Sequence, residues 1–250
     1  MTYLHDAQIP RETDADTGLP TGPRVTDAAP GPSPQRITLE GHYCRLEPLE
    51  PAKHGDELFR ASTPEDGKAR FLYLGEDPPA SRTAFQPWLE KAAASTDPLY
   101  FAVIDKRTGR VEGRQTFLRI DPGNRSIEIG HIYWGPAIAR SAVTTEANFL
   151  FAKYAFDTLG YRRYEWKCNA LNAPSRAAAE RFGFTYEGTF RRAVIIKGRT
   201  RDTTWYSMIS DEWPRIKAAY ETWLSPKNFD AQGRQRSQLS ALTRAALASG

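Results

Sequence analysis

Apolar residues in this chain recur every three or four positions in some stretches, and alternate or run unbroken in others; the changes of period mark the elements. Residues 1–36 hold few large apolar side chains, and their prolines deny them helix or sheet pairing. They read as an extended arm, either disordered or wrapped on the chain's own domain or a neighbour. A domain opens near Ile37. His42 to Leu46 reads as a strand, and Glu50 to Ala61 as a helix started after Pro51. Phe71 to Leu74 is a short apolar piece in a polar loop. Ala84 to Ala94 is a second helix, with Phe85, Trp88 and Leu89 on its apolar side. Tyr100 to Ile104 and Val111 to Ile120 are strands, joined by a hairpin turn with Gly109 at the tight position.

Ile127 to Trp134 is an apolar, β-branched and aromatic run that predicts a buried strand, broken by Gly135 and Pro136. A loop, Ala137 to Ala142, follows. Thr144 or Thr145 can then cap a helix with Glu146 in its first turn. Ala147, Leu150, Phe151, Tyr154 and Leu159 share its apolar face, and Gly160 ends it. Such a strand, turn and helix is either an ordinary packing unit or an anion site, because free helix N-terminal amides suit a pyrophosphate. Arg163 to Cys168 is a further strand. Asn172 caps a helix that carries Pro174 in its first turn and stops at Gly183. Phe184 to Ile196 and Thr203 to Ile209 form a last hairpin, and Asp211 to about Leu224 a terminal helix. This order predicts an α/β (α+β) fold, a mostly antiparallel central sheet covered by helices, with one parallel crossover over 126–168.

The 250 residues are 40% hydrophobic and 26% charged, which suits one domain, 37–224, between the arm (1–36) and a basic polar tail (225–250). Ala241 to Ser249 could form a weak helix without a large apolar face. No run has the length of a membrane span, and the acidic, proline-containing start does not read as a signal peptide. Two distant cysteines, Cys44 and Cys168, and four scattered histidines offer no metal spacing; a cytoplasmic chain with free thiols is the simplest account. A net charge of +4 is far from what general nucleic-acid binding needs.

Several segments together resemble the GNAT acyltransferase superfamily, and most of all its branch of bacterial ribosomal-protein N-terminal acetyltransferases. They are Glu128 to Trp134 with Pro136 and Thr145-Glu146-Ala147, and Leu159 to Arg163. Asn172-x-x-Ser175 with Glu180 to Phe184 and Glu187-Gly188, and Gly198-Arg199 with Asp202 and Tyr206, complete the set. The resemblance covers about 37–215. It implies a GNAT-type fold with helices on both faces and a splayed parallel strand pair, and acetyl-CoA as co-substrate. It also implies that Ile132, Tyr133 and Trp134 pair through their backbone with the pantetheine arm. The turn and helix start at Arg140, Ser141, Ala142, Val143, Thr144 and Thr145 would cradle the pyrophosphate, and Asn172 and Ser175 would lie near the thioester. The chain departs from the family at this turn, where Arg140 stands at a position often occupied by glycine. A left-handed backbone there costs Arg about 1–2 kcal/mol; a helical one costs nothing, and the guanidinium then reaches a phosphate.

Acetyl transfer to an amine needs a base for the ammonium, a donor for the developing oxyanion and an acid for the departing thiolate. Glu128, two residues from Gly130, is the candidate base, against a salt-bridged surface role. Ser175 and Tyr206 are candidate acids, against helix capping and hairpin packing. Asn169 and Asn172 either hydrogen-bond cofactor amides or close the turn. His131 reads as a hydrogen-bonded core group. Arg191, Arg192, Lys197, Arg199 and Arg201 make the last hairpin basic, either as a solvated surface or as an attraction for phosphates or an acidic acceptor. The expectation is an acetyl-CoA-dependent N-acetyltransferase acting on a protein N-terminus or a small-molecule amine by direct attack. The alternative is a non-catalytic acyl-CoA-binding or interaction module. No membrane or nucleic-acid partner is expected, and the extra surface of arm, hairpin and terminal helix is compatible with a homodimer.

Overall fold

The structure, a computed structural model, describes residues 9–248. Strands β1 (Glu12–Thr13) and β2 (Pro20–Thr21) form a small exposed hairpin. β3 (Leu39–Glu40) and β4 (Cys44–Pro48) lead into α1 (Pro51–Ser62), a short α2 (Gly67–Arg70) and α3 (Arg82–Ala94). β5 (Leu99–Asp105), β6 (Arg110–Asp121) and β7 (Ser126–Trp134) follow as an antiparallel meander. Next come α4 (Ala142–Lys153), continued by a π-helical turn over Tyr154–Thr158, then β8 (Arg163–Asn169) and α5 (Ala173–Arg181). The hairpin β9 (Thr185–Ile196) and β10 (Arg199–Ile209), then α6 (Trp213–Leu224) and α7 (Leu239–Ala248), complete the chain.

Eight strands form one sheet in the order β3-β4-β5-β6-β7-β8-β10-β9, and only β7 and β8 pair in parallel. All seven residues of β5 are buried because both faces of the sheet are covered. Tyr100, Ala102 and Ile104 pack with Leu58, Phe85 and Leu89 of α1 and α3. Leu99, Phe101 and Val103 face the larger core beneath α4 and α6, where Phe117 and Phe151 stack 3.8 Å apart. Apolar alternation on two covered faces thus yields the expected layered fold.

Two local expectations change, and one alternative is settled. The cap of α4 is Ser141, whose Oγ accepts from the Val143 amide at 3.2 Å, so the helix starts before Thr144 and Thr145. Their hydroxyls instead donate to the Ser141 carbonyl, each at 3.1 Å. The tail does not lie outside the domain. Asn228 Nδ2 donates to the Trp223 carbonyl, α7 buries Leu239 and Thr243, and Thr243 packs against the bare Cα of Gly183. Leu242 and Leu247 pack beside them against the main core; residues 249 and 250 lie outside the described residues. The arm wraps its own domain over 27–35: Arg125 pairs with Asp27 and donates to the Ala29 carbonyl, and the Gln35 amide donates to Tyr154 Oη. Arm residues 1–8 lie outside the described residues.

Glu146 has a larger role than a first-turn charge. Its buried carboxylate accepts the amides of His42 (2.8 Å), Tyr43 (2.6 Å) and Cys44 (2.7 Å), clamping the turn before β4 onto α4.

Candidate active site

β7 and β8 separate where the site begins. Their pairing runs from Ser126–Arg163 to Ile129–Trp166 and stops there, although both strands continue. The cause lies on the other side of β7. Gly130 faces Thr116 and Tyr133 faces Arg114, so His131 and Ile132 together oppose the single residue Gln115. This is a β-bulge, and His131 takes φ of 45° to make it. Arg114 holds the bulge from beneath. Its guanidinium donates to the His131 carbonyl at 2.7 Å, lies over the Trp88 ring and pairs with Glu76, and its side chain is 2% exposed. Gln115 ties the same place to α4, with Nε2 donating to the Ala147 carbonyl and Oε1 accepting from Trp134 Nε1. The splayed strands open into a cleft of about 2050 Å³.

At one end of the cleft stands the start of α4. Arg140 has φ of 60°, the left-handed case of the two considered, at a strain of about 1–2 kcal/mol. The turn places the Arg140 and Ala142 amides at the cleft with no acceptor among the described residues. Arg140 and Arg181 both line this end, and neither has a carboxylate within ion-pair distance among the described residues. Arg181 donates to Thr145 Oγ1 at 3.1 Å and lies over the Trp223 ring. Free amides, a helix N-terminus and two uncompensated guanidiniums make a site for a phosphorylated group.

On the opposite sheet face, Glu128 lines the cleft. Oε2 lies 3.0 Å from Lys167 Nζ and 3.2 Å from Arg119 Nε. Lys167 also pairs with Glu165 at 2.6 Å, with its ammonium over the Trp205 ring. Burial pushes the Glu128 carboxyl above its ordinary range, against the pull of Lys167 and Arg119. Gly130 is needed beside it, since a Cβ there would meet the Leu118 side chain.

Of the other expected residues, Ser175, Asn169 and Asn172 line the cleft. Ser175 Oγ accepts from Trp166 Nε1 at 3.0 Å, which leaves its own proton uncommitted by that bond. Both asparagines close turns: Asn169 Oδ1 accepts the Leu171 amide and Asn172 Oδ1 caps α5 at the Ser175 amide. Ile132, Tyr133 and Trp134 edge the wedge. The Tyr133 hydroxyl, however, points away to donate to the Ala61 carbonyl at 2.6 Å, with its pKa pushed up to about 12, chiefly by burial. Ser141, Ala142 and Thr144 line the cleft; Val143 and Thr145 do not and face the core. Tyr206 is not brought to the cleft. It is fully buried under α5, 3.4 Å from both Arg176 Nε and Glu180 Oε1, while its ladder partner Trp166, on the same face, lines the cleft. His131 is hydrogen-bonded, Nδ1 to Tyr100 Oη at 2.8 Å, yet lines the cleft rather than the core; loss of water around the ring and nearby Arg114 lower its pKa.

Lys167, Arg114 and Arg181 were not foreseen. For Lys167 a signal exists: Glu165 and Lys167 alternate with Tyr164, Trp166 and Cys168, which marks one ionic face of a buried strand.

Comparison with known proteins agrees with this geometry. The profile of the Acetyltransferase (GNAT) domain matches residues 44–185. A GCN5-related N-acetyltransferase from Brucella melitensis is similar in structure at a TM-score of 0.87 and 56% identity, over 88% of this chain and all of that one. A probable GNAT-family acetyltransferase from Chromobacterium violaceum follows at 0.73 and 36%, over 78% and 98%. Among curated proteins, the putative ribosomal N-acetyltransferase YdaF of Bacillus subtilis is 32% identical over 106 residues, 42% of this chain and 57% of that relative's length. With a domain match over more than half its length, and a splayed β7–β8 pair beside a helix start with free amides, the chain belongs to the GNAT acetyltransferase family.

Proposed function

We propose that the protein is an acetyl-CoA-dependent N-acetyltransferase that acts on a primary amine, with the N-terminus of a protein as the favoured acceptor. The observation that carries the reading is the open wedge between β7 and β8, with free amides and uncompensated cations on one face and an elevated carboxyl on the other. The acceptor class follows the name of the YdaF relative, which is called a ribosomal N-acetyltransferase.

The residues fit a diphosphate-bearing thioester. The Arg140 and Ala142 amides and the Arg140 and Arg181 guanidiniums would hold the phosphates, and the exposed edge of Ile132 to Trp134 would border the pantetheine. Acetyl-CoA supplies the activated acetyl group. Glu128 takes the proton from the acceptor ammonium, directly or through a water, so that the amine lone pair becomes available. Lys167 and Arg119 keep that carboxylate ionised and oriented. Ser175, fixed by Trp166, passes its proton to the leaving thiolate and regains one from the nitrogen of the tetrahedral intermediate, which loses it as the amide forms.

Incubation with acetyl-CoA and peptides bearing free N-termini should release thiol, and N-acetylated peptides should show no reaction. Tight acetyl-CoA binding by calorimetry without turnover on any amine would favour a non-catalytic binding module instead. Arg140→Gly separates the two roles of that residue. Relief of the left-handed strain should leave stability equal or raised by up to about 1 kcal/mol. Loss of the guanidinium should weaken acetyl-CoA binding roughly tenfold. Thermal unfolding and calorimetry read the two effects.

A further inference from the structure

β10 presents Arg201, Thr203 and Trp205 to the cleft. Trp205 faces Lys167 across the ladder and carries its ammonium, and Lys167 touches Glu128, so these side chains share the Glu128 face of the sheet. The helix start that suits phosphates lies on the other face, since Tyr164, of opposite alternation to Lys167, meets Asn148 of α4. Arg201 is therefore placed on the acceptor side.

Two donors there are unmet. Arg201 Nε and Trp205 Nε1 are both shielded from solvent and have no hydrogen-bond partner among the described residues. Three cations near Arg201 have carboxylates: Arg119 with Glu128, Lys167 with Glu128 and Glu165, Lys197 with Asp77. Arg201 has none within ion-pair distance among the described residues, and burial lowers its pKa. Shielded donors without acceptors are costly in the free protein and are repaid by a ligand that brings the acceptor. A guanidinium fork selects a carboxylate in particular.

Strand register sets how far this anion lies from the reacting amine. Glu128 faces Glu165, which faces Ser207, six positions along β10 from Arg201. At about 3.3 Å per residue the two roots are roughly 20 Å apart before the side chains reach toward each other. The side chains close much of this distance, since Glu128 touches Lys167 and Lys167 lies over Trp205; the gap left to the Arg201 guanidinium is one that an extended peptide covers within its first few residues, and that a free amino acid's own carboxylate, one residue from its amine, does not.

We propose that Arg201 is a specificity subsite for an acidic side chain at the second to fourth position of a peptide acceptor. The proposal rests on the acetyl-transfer reading above. The experiment uses tetrapeptide amides of alanine with one Asp at position two, three or four, their Asn twins, and free aspartate and asparagine, in a thiol-release assay. The wild-type protein should favour Asp over Asn about tenfold in kcat/KM at one of these positions, and should show no preference for free aspartate. Arg201→Gln should bring that ratio close to one. The inference is overturned if the wild-type protein shows no Asp preference, if the preference survives Arg201→Gln, or if free aspartate is favoured as strongly. It is also overturned if calorimetry shows that Arg201→Gln weakens acetyl-CoA binding instead, since Arg201 would then serve the phosphates. If acetyl-CoA binds and no acceptor at all is turned over, the acetyl-transfer reading fails first and this subsite with it.

Discussion

Glu128→Gln should lower turnover by roughly 10²–10⁴-fold while acetyl-CoA still binds. The amide keeps the shape of the side chain and loses the proton acceptor. Stability should not fall with activity. Burial lifts the Glu128 carboxyl in the folded chain, so its ionisation costs more there than in the unfolded chain. The stability linked to that group is complete below the ordinary carboxyl pKa and is lost as pH rises through the lifted value. At pH 7 the ionised side chain is thus a net cost that the neutral Gln removes, and Lys167 retains Glu165 as a partner at 2.6 Å. Thermal unfolding at pH 7 should show an unchanged or raised Tm. The wild-type kcat/KM should rise with pH through a value above that of an ordinary glutamate, and this limb should vanish in the variant. Equal turnover in wild type and variant would remove Glu128 from the chemistry. A large fall in Tm would mean that the carboxylate is structural.

Glu146→Ala should be among the most destabilising single changes in the domain. It orphans three amides, those of His42, Tyr43 and Cys44, at the entry to the sheet. Each unsatisfied buried donor costs about 1–3 kcal/mol, and water can reach the half-buried two, so the total expected is about 3–5 kcal/mol. For a domain of this size that is roughly 10 °C in Tm. Glu146→Gln, which keeps one carbonyl oxygen as acceptor, should lose less. Chemical denaturation of both variants checks the order. A loss below about 1 kcal/mol for Glu146→Ala would show that the turn finds other partners for its amides.

Much of this architecture is legible in residue order because the informative signals are local. Gly109 and Gly160 stand at φ of 72° and 64°, where a side chain would be strained, and they mark a hairpin turn and a helix end in their own sequence neighbourhood. Asn172, Pro174 and Ser175 start α5 by capping within three residues. The run Ile127 to Trp134 is apolar enough to be a strand in any register. What was not legible depends on partners far along the chain or on a residue that defies its own preference. Arg140 takes a backbone usually left to glycine, and this moves the start of α4 back to Ser141. The function of Glu146 lies more than a hundred positions away. Tyr206 is withheld from the cleft because α5 covers it through Arg176 and Glu180, a contact that no local pattern reports. The tail helix docks through Leu239, Leu242, Thr243 and Leu247, a narrow face set among small alanines.

The central claim is that the wedge between β7 and β8 takes a thioester whose diphosphate rests on the turn at Arg140. A crystal structure of the protein with CoA tests it most directly. The prediction is phosphate oxygens within hydrogen-bond distance of the Arg140 and Ala142 amides, with the pantetheine running along Ile132 to Trp134 and the thiol ending beside Ser175. CoA held elsewhere, or a wedge closed by its own side chains with Arg140 folded across the turn, would contradict it.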